Sequence, residues 1–361
     1  MAVVTYKCPN CGGGLVYEPG PRQFACHYCN SHFAQEAIRQ PGAVDQAAAQ
    51  EAAQPSGQDR QGEDHARPQE EQGVLYACPS CGAQVVTDAT TAATFCYYCH
   101  NPVVVQGRLS GEFAPNQMIP FAIDRDQAIK TFLDWAKGKK FIPRDFFSQK
   151  QIQKLTGVYF PYWMVDLEVD GTLDTTATQV RIWRVGDTEY TENKHFQVTR
   201  GGRFRFPQVT RNALSDKYNR RLVEGVLPFA TDKLQDFQMA YLSGFQAEQR
   251  NIQRGDLEPE VREEVREYTR QLLRDTTSGY TSVGTGTLEA QVTGDDWRYA
   301  LLPVWVLTYR GRDGKEYFYA MNGQTGKICG QLPLDGKRLA MLFGAVALPL
   351  FGLLLAGGWL L

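Results

Sequence analysis

Histidine is scarce in this chain, with five in 361 residues, and the short motifs that usually mark an enzyme are missing. No G-x-x-x-x-G-K-[ST] loop is present to cradle a nucleotide, and Thr325-Gly326-Lys327 has no glycine-rich turn ahead of it. Neither H-E-x-x-H nor G-x-S-x-G occurs, and Gly284-Thr285-Gly286 lacks the third glycine of a dinucleotide fingerprint. A non-enzymatic protein is therefore expected. The start, MAVVTYKCPNC, has neither the basic segment nor the apolar stretch of a cleavable signal peptide. A surplus of positive charge is missing too. The formal net charge is −2, and residues 1–111 carry six basic against ten acidic side chains. Such a balance disfavours a protein that coats nucleic acid through charge.

Cysteine is present in a pattern. Eight of the nine cysteines form four C-x-x-C pairs: Cys8 with Cys11, Cys26 with Cys29, Cys78 with Cys81, and Cys96 with Cys99. Fourteen residues separate the pairs in both cases, and YKCPNCGG recurs as YACPSCGA at an offset of 70. C-x-x-C lets two sulfurs face one ion, and two such knuckles complete a tetrahedral four-cysteine site. Two structural zinc ions are expected, one in each of two zinc ribbons. A closed shell of four thiolates leaves no position for a reacting water. Thiolates kept for metal point to a reducing compartment. His27, His32 and His100 lie beside the ligands and read as surface residues. Cys329 reads as a small buried strand residue rather than an acylation site.

Between the ribbons, residues 37–73 are rich in Ala, Gln, Gly and acid and contain no aromatic residue. This composition predicts a flexible linker, on which the first ribbon would range about 30–35 Å. The domain plan is ribbon one over 1–36, linker 37–73, ribbon two over 74–111, a body over 112–336 and an anchor over 337–361.

Within the body, DRDQAIKTFLDWAKGK places Ala128, Ile129, Phe132, Leu133 and Ala136 on one helical stripe, with Asp124 as its cap. A short helix is expected over 145–155. VDLEVDGTL alternates like a half-buried strand that ends in an Asp170-Gly171 turn, and strands with Gly-Asp and Gly-Gly breaks follow to 210. Leu257, Val261, Val265, Tyr268 and Leu272 mark a helix over 257–274. A meander over 283–293, 297–310, 315–321 and 326–331 comes next, with turns at Asp313-Gly314 and Asn322-Gly323. Pro161-Tyr162-Trp163-Met164-Val165 recurs as Pro303-Val304-Trp305-Val306-Leu307, which points to two related α+β halves.

The last 23 residues, Leu339–Leu361, carry no charge. As a helix they would reach about 35 Å, enough to cross a ~30 Å hydrocarbon core once. Lys337 and Arg338 stand just before them, so the positive-inside rule puts the body in the cytoplasm. The expectation is a single-pass cell-membrane protein with a C-terminal anchor. One basic stretch, Arg200-Gly201-Gly202-Arg203-Phe204-Arg205-Phe206 with Arg211 beyond, could stack bases or meet anionic headgroups. Its simpler reading is an exposed strand face with Phe204 and Phe206 inward.

Three long segments, IPFAIDRDQAIKTFLDWAKGKKFIPRDF, GVYFPYWMVDLEVDG and LLPVWVLTYRGRDGKEYFYAMNGQTGKICGQLP, resemble bacterial membrane-anchored TFIIB-type zinc ribbon-containing proteins. The second ribbon, TAATFCYYCHNPVVVQGRLSGEF, shares the resemblance. It implies a membrane-bound adaptor. Some members act with a second membrane protein and a virion-core-like, SPFH-type protein to place an ESCRT-III-like phage-shock protein on the membrane under envelope stress. Protein partners are thus expected, with a membrane-tethered nucleic-acid binder as the alternative.

Overall fold

A computed structural model describes residues 3–38, 74–96, 99–105, 108–109, 111–139, 141–143, 146, 148–215, 220–311 and 314–359. The expected linker lies outside the described residues from 39 onward. The chain is α+β. Contacts divide it into one unit of Met1–Pro161, Leu214–Gln249 and Leu301–Leu361, and a second of Tyr162–Ala213 and Arg250–Ala300.

In chain order, ribbon one contains β1 (Val3–Val4), β2 (Leu15–Glu18), β3 (Gln23–Cys26) and β4 (His32–Phe33). Ribbon two contains β5 (Val74–Ala77), β6 (Gln84–Thr87), β7 (Thr91–Phe95) and β8 (Pro102–Val105). The next elements are β9 (Gln117–Met118), α1 (Arg125–Lys137), α2 (Gln149–Ile152), β10 (Thr156–Val185) and β11 (Thr188–Asn212). After them come α3 (Arg220–Gly225), β12 (Gln235–Asp236), β13 (Gln246–Glu248), α4 (Arg254–Asp275) and β14 (Ser282–Val283). The chain closes with β15 (Thr287–Arg310), β16 (Glu316–Asn322), β17 (Ile328–Gly330) and α5 (Gly336–Trp359).

In the first unit, ribbon one does not range on a tether; it is docked. Its β1 pairs antiparallel with β8 of ribbon two, Val3 facing Val105. Thr5 Oγ1 donates to the Pro102 carbonyl at 3.0 Å. On the other side, Tyr17 N donates to the Ser243 carbonyl at 2.9 Å, and the Ser243 hydroxyl donates to the Leu15 carbonyl. The Tyr17 ring meets Tyr241 edge-on at 4.8 Å, and Phe24 lies 6.0 Å from Tyr241. Undocking would return these buried rings to water, which is why the ribbon stays in place whatever the length of the linker.

The rest of this unit is built around aromatic residues. Phe121 stacks on Phe245 at 4.2 Å, and Trp305 meets both edge-on. Helix α1 begins as expected, with Asp124 accepting from the Gln127 N–H. It buries Ala128, Phe132 and Ala136, while Ile129 and Leu133 are half-buried flanks. Phe132 packs against Phe146 and Tyr319. The short helix expected over 145–155 is the four-residue α2. Asn322 ends β16 with no exposed surface. Its Nδ2 donates to the Val226 and Pro228 carbonyls at 3.1 and 3.2 Å, and its Oδ1 accepts from the Gln324 and Thr325 N–H groups at 2.9 Å each.

The second unit holds a long antiparallel hairpin, paired from Tyr162↔Asn212 to Val185↔Thr188. The turn expected at Asp170-Gly171 does not form. The strand runs straight through, and Gly171 serves another purpose: a Cβ there would lie 2.5 Å from Thr269 Cγ2 of α4. Gly201-Gly202 likewise interrupts nothing, and the Gly186-Asp187 pair makes the turn. The two strands expected over 283–293 and 297–310 are one, β15. Helix α4 buries Leu257, Val261, Val265, Thr269 and Leu273. Tyr268 and Leu272, expected on that seam, are 50% and 44% exposed. Val165, Leu167 and Val169 supply the strand side of the core, with Phe206 packed beside them.

The same device closes the start of a helix in each unit. In the first, Trp305 Nε1 donates to the Ile123 carbonyl at 3.1 Å, one residue before the α1 cap. In the second, Trp163 Nε1 donates to the Ile252 carbonyl at 3.0 Å, one residue before Gln253, the α4 cap.

Described side chains of α5 end at Gly352, and most of Leu339–Phe351 is exposed. Among the described residues, no helix is long and apolar enough to cross a membrane.

Candidate metal centres

Each C-x-x-C turn is made by its own backbone. Cys8 N donates to the Gly13 carbonyl at 2.6 Å, and Gly12 N donates back to Cys8 O at 2.9 Å. In ribbon two the equivalents are Cys78 to Ala83 and Gly82 to Cys78, both 2.8 Å. Gly12 and Gly82 take φ of +74° and +72°, a region that costs glycine nothing. The second knuckle of each ribbon repeats the geometry without glycine. Asn30 at +53° returns to Cys26, and His100 at +57° returns to Cys96. His100 is thus a turn residue. Asn and His are among the side chains enriched in this conformation, a signal present in the sequence but not used there.

These turns gather all eight cysteines into two sets, Cys8, Cys11, Cys26 and Cys29, and Cys78, Cys81, Cys96 and Cys99. Within each set every sulfur lies within 4.8 Å of the others. Cys8 and Cys29 are 3.6 Å apart, and Cys11 and Cys26 are 3.5 Å apart. In ribbon two, Cys78–Cys99 and Cys81–Cys96 are both 3.7 Å. Four sulfurs at about 2.3 Å from one ion stand about 3.8 Å from each other, so both sets fit a tetrahedral tetrathiolate. Two metal ions could be held. Cys8, Cys26, Cys78 and Cys96 face inward and are buried; Cys11, Cys29 and Cys81 face outward, and Cys99 is half-buried.

The thiols of site one differ in acidity. The Ser31 hydroxyl and backbone N–H hold Cys29 down to about 6. Although the Gly13 N–H pulls Cys11 down, the neighbouring sulfurs of Cys26 and Cys29 push it up to about 12. In site two, burial and then the neighbouring thiols push Cys99 up to about 12, against the Asn101 N–H.

Histidine joins neither set. His27 is exposed, and His32 Nδ1 lies 2.8 Å from Gln23 Nε2 and 3.6 Å from Glu18. Among the described residues, no third group of three or more Cys, His, Asp or Glu side chains is placed to hold an ion. Cys329 is half-buried in β17, its sulfur against Gly225. In the Arg200–Phe206 stretch, Arg203 bonds Asp170 at 3.1 Å, and Phe204 and Phe206 turn inward as expected. Arg211 lies against Glu264 and, at 3.6 Å, Glu260 of α4. A cleft of about 760 Å³ in the first unit is lined by Tyr17, Glu18, His27, Asp124, Arg125 and Trp305, among others.

The chain is 31% identical over 363 residues to the uncharacterized protein YdjG of Bacillus subtilis (strain 168), a match that covers 99% of this chain and 100% of that one. No family model matches. No solved structure matches.

Proposed function

Because the chain belongs to the same family as the uncharacterized YdjG protein of Bacillus subtilis, over essentially the full length of both, we propose a single function for the whole architecture: a non-enzymatic, membrane-anchored zinc-ribbon scaffold that recruits protein partners. The observation that carries this reading is the pair of closed four-cysteine shells. Their sulfur spacings suit zinc, and all four tetrahedral positions are taken by the chain, so the ions fasten the fold and do not react. The outward cysteines, Cys11, Cys29 and Cys81, with exposed Tyr28, give the ribbons an accessible knuckle face on which a partner docks.

The anchor is the uncharged run Leu339–Leu361. Its support is the length of that run, the helical start at Gly336 and the exposed Leu339, Met341, Phe343 and Leu348. With Lys337 and Arg338 at its head, the run holds the body on the cytoplasmic side of the cell membrane. The resemblance to TFIIB-type zinc ribbon proteins supports a role in envelope stress, beside phage-shock and SPFH-type partners. The matching Pro-x-Trp strands, each with an indole bonded ahead of a helix cap, support a body of two related halves. Nucleic acid is a weaker partner class, since the ribbons are poor in Lys and Arg and Arg211 already engages Glu260 and Glu264.

The test is affinity capture from solubilised membranes with the full chain and with the Cys8→Ser/Cys11→Ser variant. Protein partners should be lost from the variant while it stays in the membrane fraction. Identical partners on both chains, or release of the full chain by alkaline carbonate, would overturn the reading.

A further inference from the structure

Strand β11 is paired on one side only. Among the described residues it bonds β10 and no other strand. The two-residue turn at Gly186-Asp187 makes Val185 and Thr188 a hydrogen-bonded pair, so even-numbered residues from Thr188 to Phe206 exchange bonds with β10. The odd-numbered residues between them point their N–H and C=O groups away from the sheet. A long bare edge of this kind is a template for another strand unless something blocks it.

We propose that a second copy of this chain occupies the edge, the two β11 strands running antiparallel about a two-fold axis at Phe196. The charge pattern carries the assignment. Acid stands in the first half of the strand, at Glu189 and Glu192, and arginine in the second, at Arg200 and Arg203. With Phe196 on the axis, Glu192 falls opposite Arg200 of the other copy and Glu189 opposite Arg203, and symmetry repeats each pair. No like charges meet. One step to Gln197 sets Lys194 against Arg200. One step to His195 sets Glu192 against Val198 and Glu189 against Gly201, and both ion pairs vanish. The sequence thus selects one register.

A second observation agrees. Helix α4 lies over this hairpin with one flank on each side. Arg254 and Arg262 reach Asp295 of β15, whereas Glu260 and Glu264 reach Arg211 of β11. The flank that continues Glu260 and Glu264 at every fourth residue, Tyr268 and Leu272, therefore faces the bare edge, half exposed. Past the end of α4, on the same face of the sheet, Trp183 and Tyr190 stack at 5.7 Å and remain 40% and 46% exposed. In the proposed pairing Tyr190 comes opposite Gly202 of the other copy, where no side chain stands in the way of the ring. Gly202 pairs with Gly171, the residue on which α4 sits. Each copy's naked ring pair is thereby carried to the apolar flank of the other's helix.

The experiment is sedimentation of the full chain in a mild detergent, with metal content measured to verify folding. A dimer is expected. Glu192→Arg and Arg200→Glu should each raise its dissociation constant about tenfold, by turning two symmetry-related attractions into repulsions. The double variant E192R/R200E should restore it. In a Cys329→Ser background, Phe196→Cys should cross-link two copies through a disulfide at the axis, and Thr199→Cys should not. A monomer would overturn the proposal. So would a dimer indifferent to E192R, as one held by α5 alone would be, or a double variant as weak as the singles.

Discussion

Replacing Asn322 tests whether one buried amide organises the end of the first unit. Asn322→Ala leaves the Val226 and Pro228 carbonyls without their donors and the Gln324 and Thr325 N–H groups without their acceptor. At about 1 kcal/mol for each lost bond, and more where water cannot replace it, the loss is about 3–5 kcal/mol. That is a large part of the ~5–15 kcal/mol that holds a typical domain together. Asn322→Asp separates the two pairs of bonds. The carboxylate still accepts from Gln324 and Thr325 but faces two carbonyl oxygens in a buried place, so its folded-state pKa is raised. The folded chain then holds the proton more tightly than the unfolded one, whose carboxyl titrates near ~3.9. One donor bond is lost at every pH, because a protonated carboxyl donates one hydrogen and the amide two; the charge penalty added to it is absent below that pH, grows as pH rises above it, and levels off above the folded pKa. Denaturant unfolding followed by tryptophan fluorescence, at several pH values between 5 and 8, measures both variants. An alanine cost under about 1 kcal/mol, or an aspartate cost that does not change with pH, would refute the reasoning.

Cys8→Ser should lower bound metal from two equivalents to one, as elemental analysis would show, because the two cysteine sets share no ligand. Loading of either site at pH 7 should release protons, since Cys11 and Cys99 stand near 12 when metal-free; chelator competition should find affinity falling from pH 8 to pH 5 as protons compete for the sulfurs. Trp305→Phe and Trp163→Phe should each cost about 1–3 kcal/mol by stripping a donor from a carbonyl at a helix start. Hydrogen exchange should then rise in the first turn of α1 for Trp305→Phe and of α4 for Trp163→Phe.

The metal sets were legible because spacing alone defines them: C-x-x-C twice, fourteen residues apart, leaves little freedom in the partner of each sulfur. Asp124 was legible as a cap for a similar reason, its partner being three residues away. What the sequence hid was set at long range. Gly171 looked like half of a turn because Asp-Gly usually is one, and only the approach of Thr269 explains it. The α4 seam was misplaced because Thr269 is polar; its hydroxyl donates to the Val265 carbonyl at 2.8 Å, which permits full burial. With Thr269 and Leu273 inside, Tyr268 and Leu272 turn outward. The docking of ribbon one joins Tyr17 to residues more than two hundred positions later, and nothing local announces it.

The division of the chain also governs when its parts can form. Tyr162–Ala213 and Arg250–Ala300 have all been synthesised before Leu301 is added, whereas the first unit needs Leu301–Leu361 to be complete. Translation therefore completes the second unit before the first. The ribbons leave the ribosome well before the surface at Tyr241 and Ser243 that receives ribbon one, and the indole that secures α1 follows later still. A product that stops before Tyr241 would carry metal-ready ribbons with no seat.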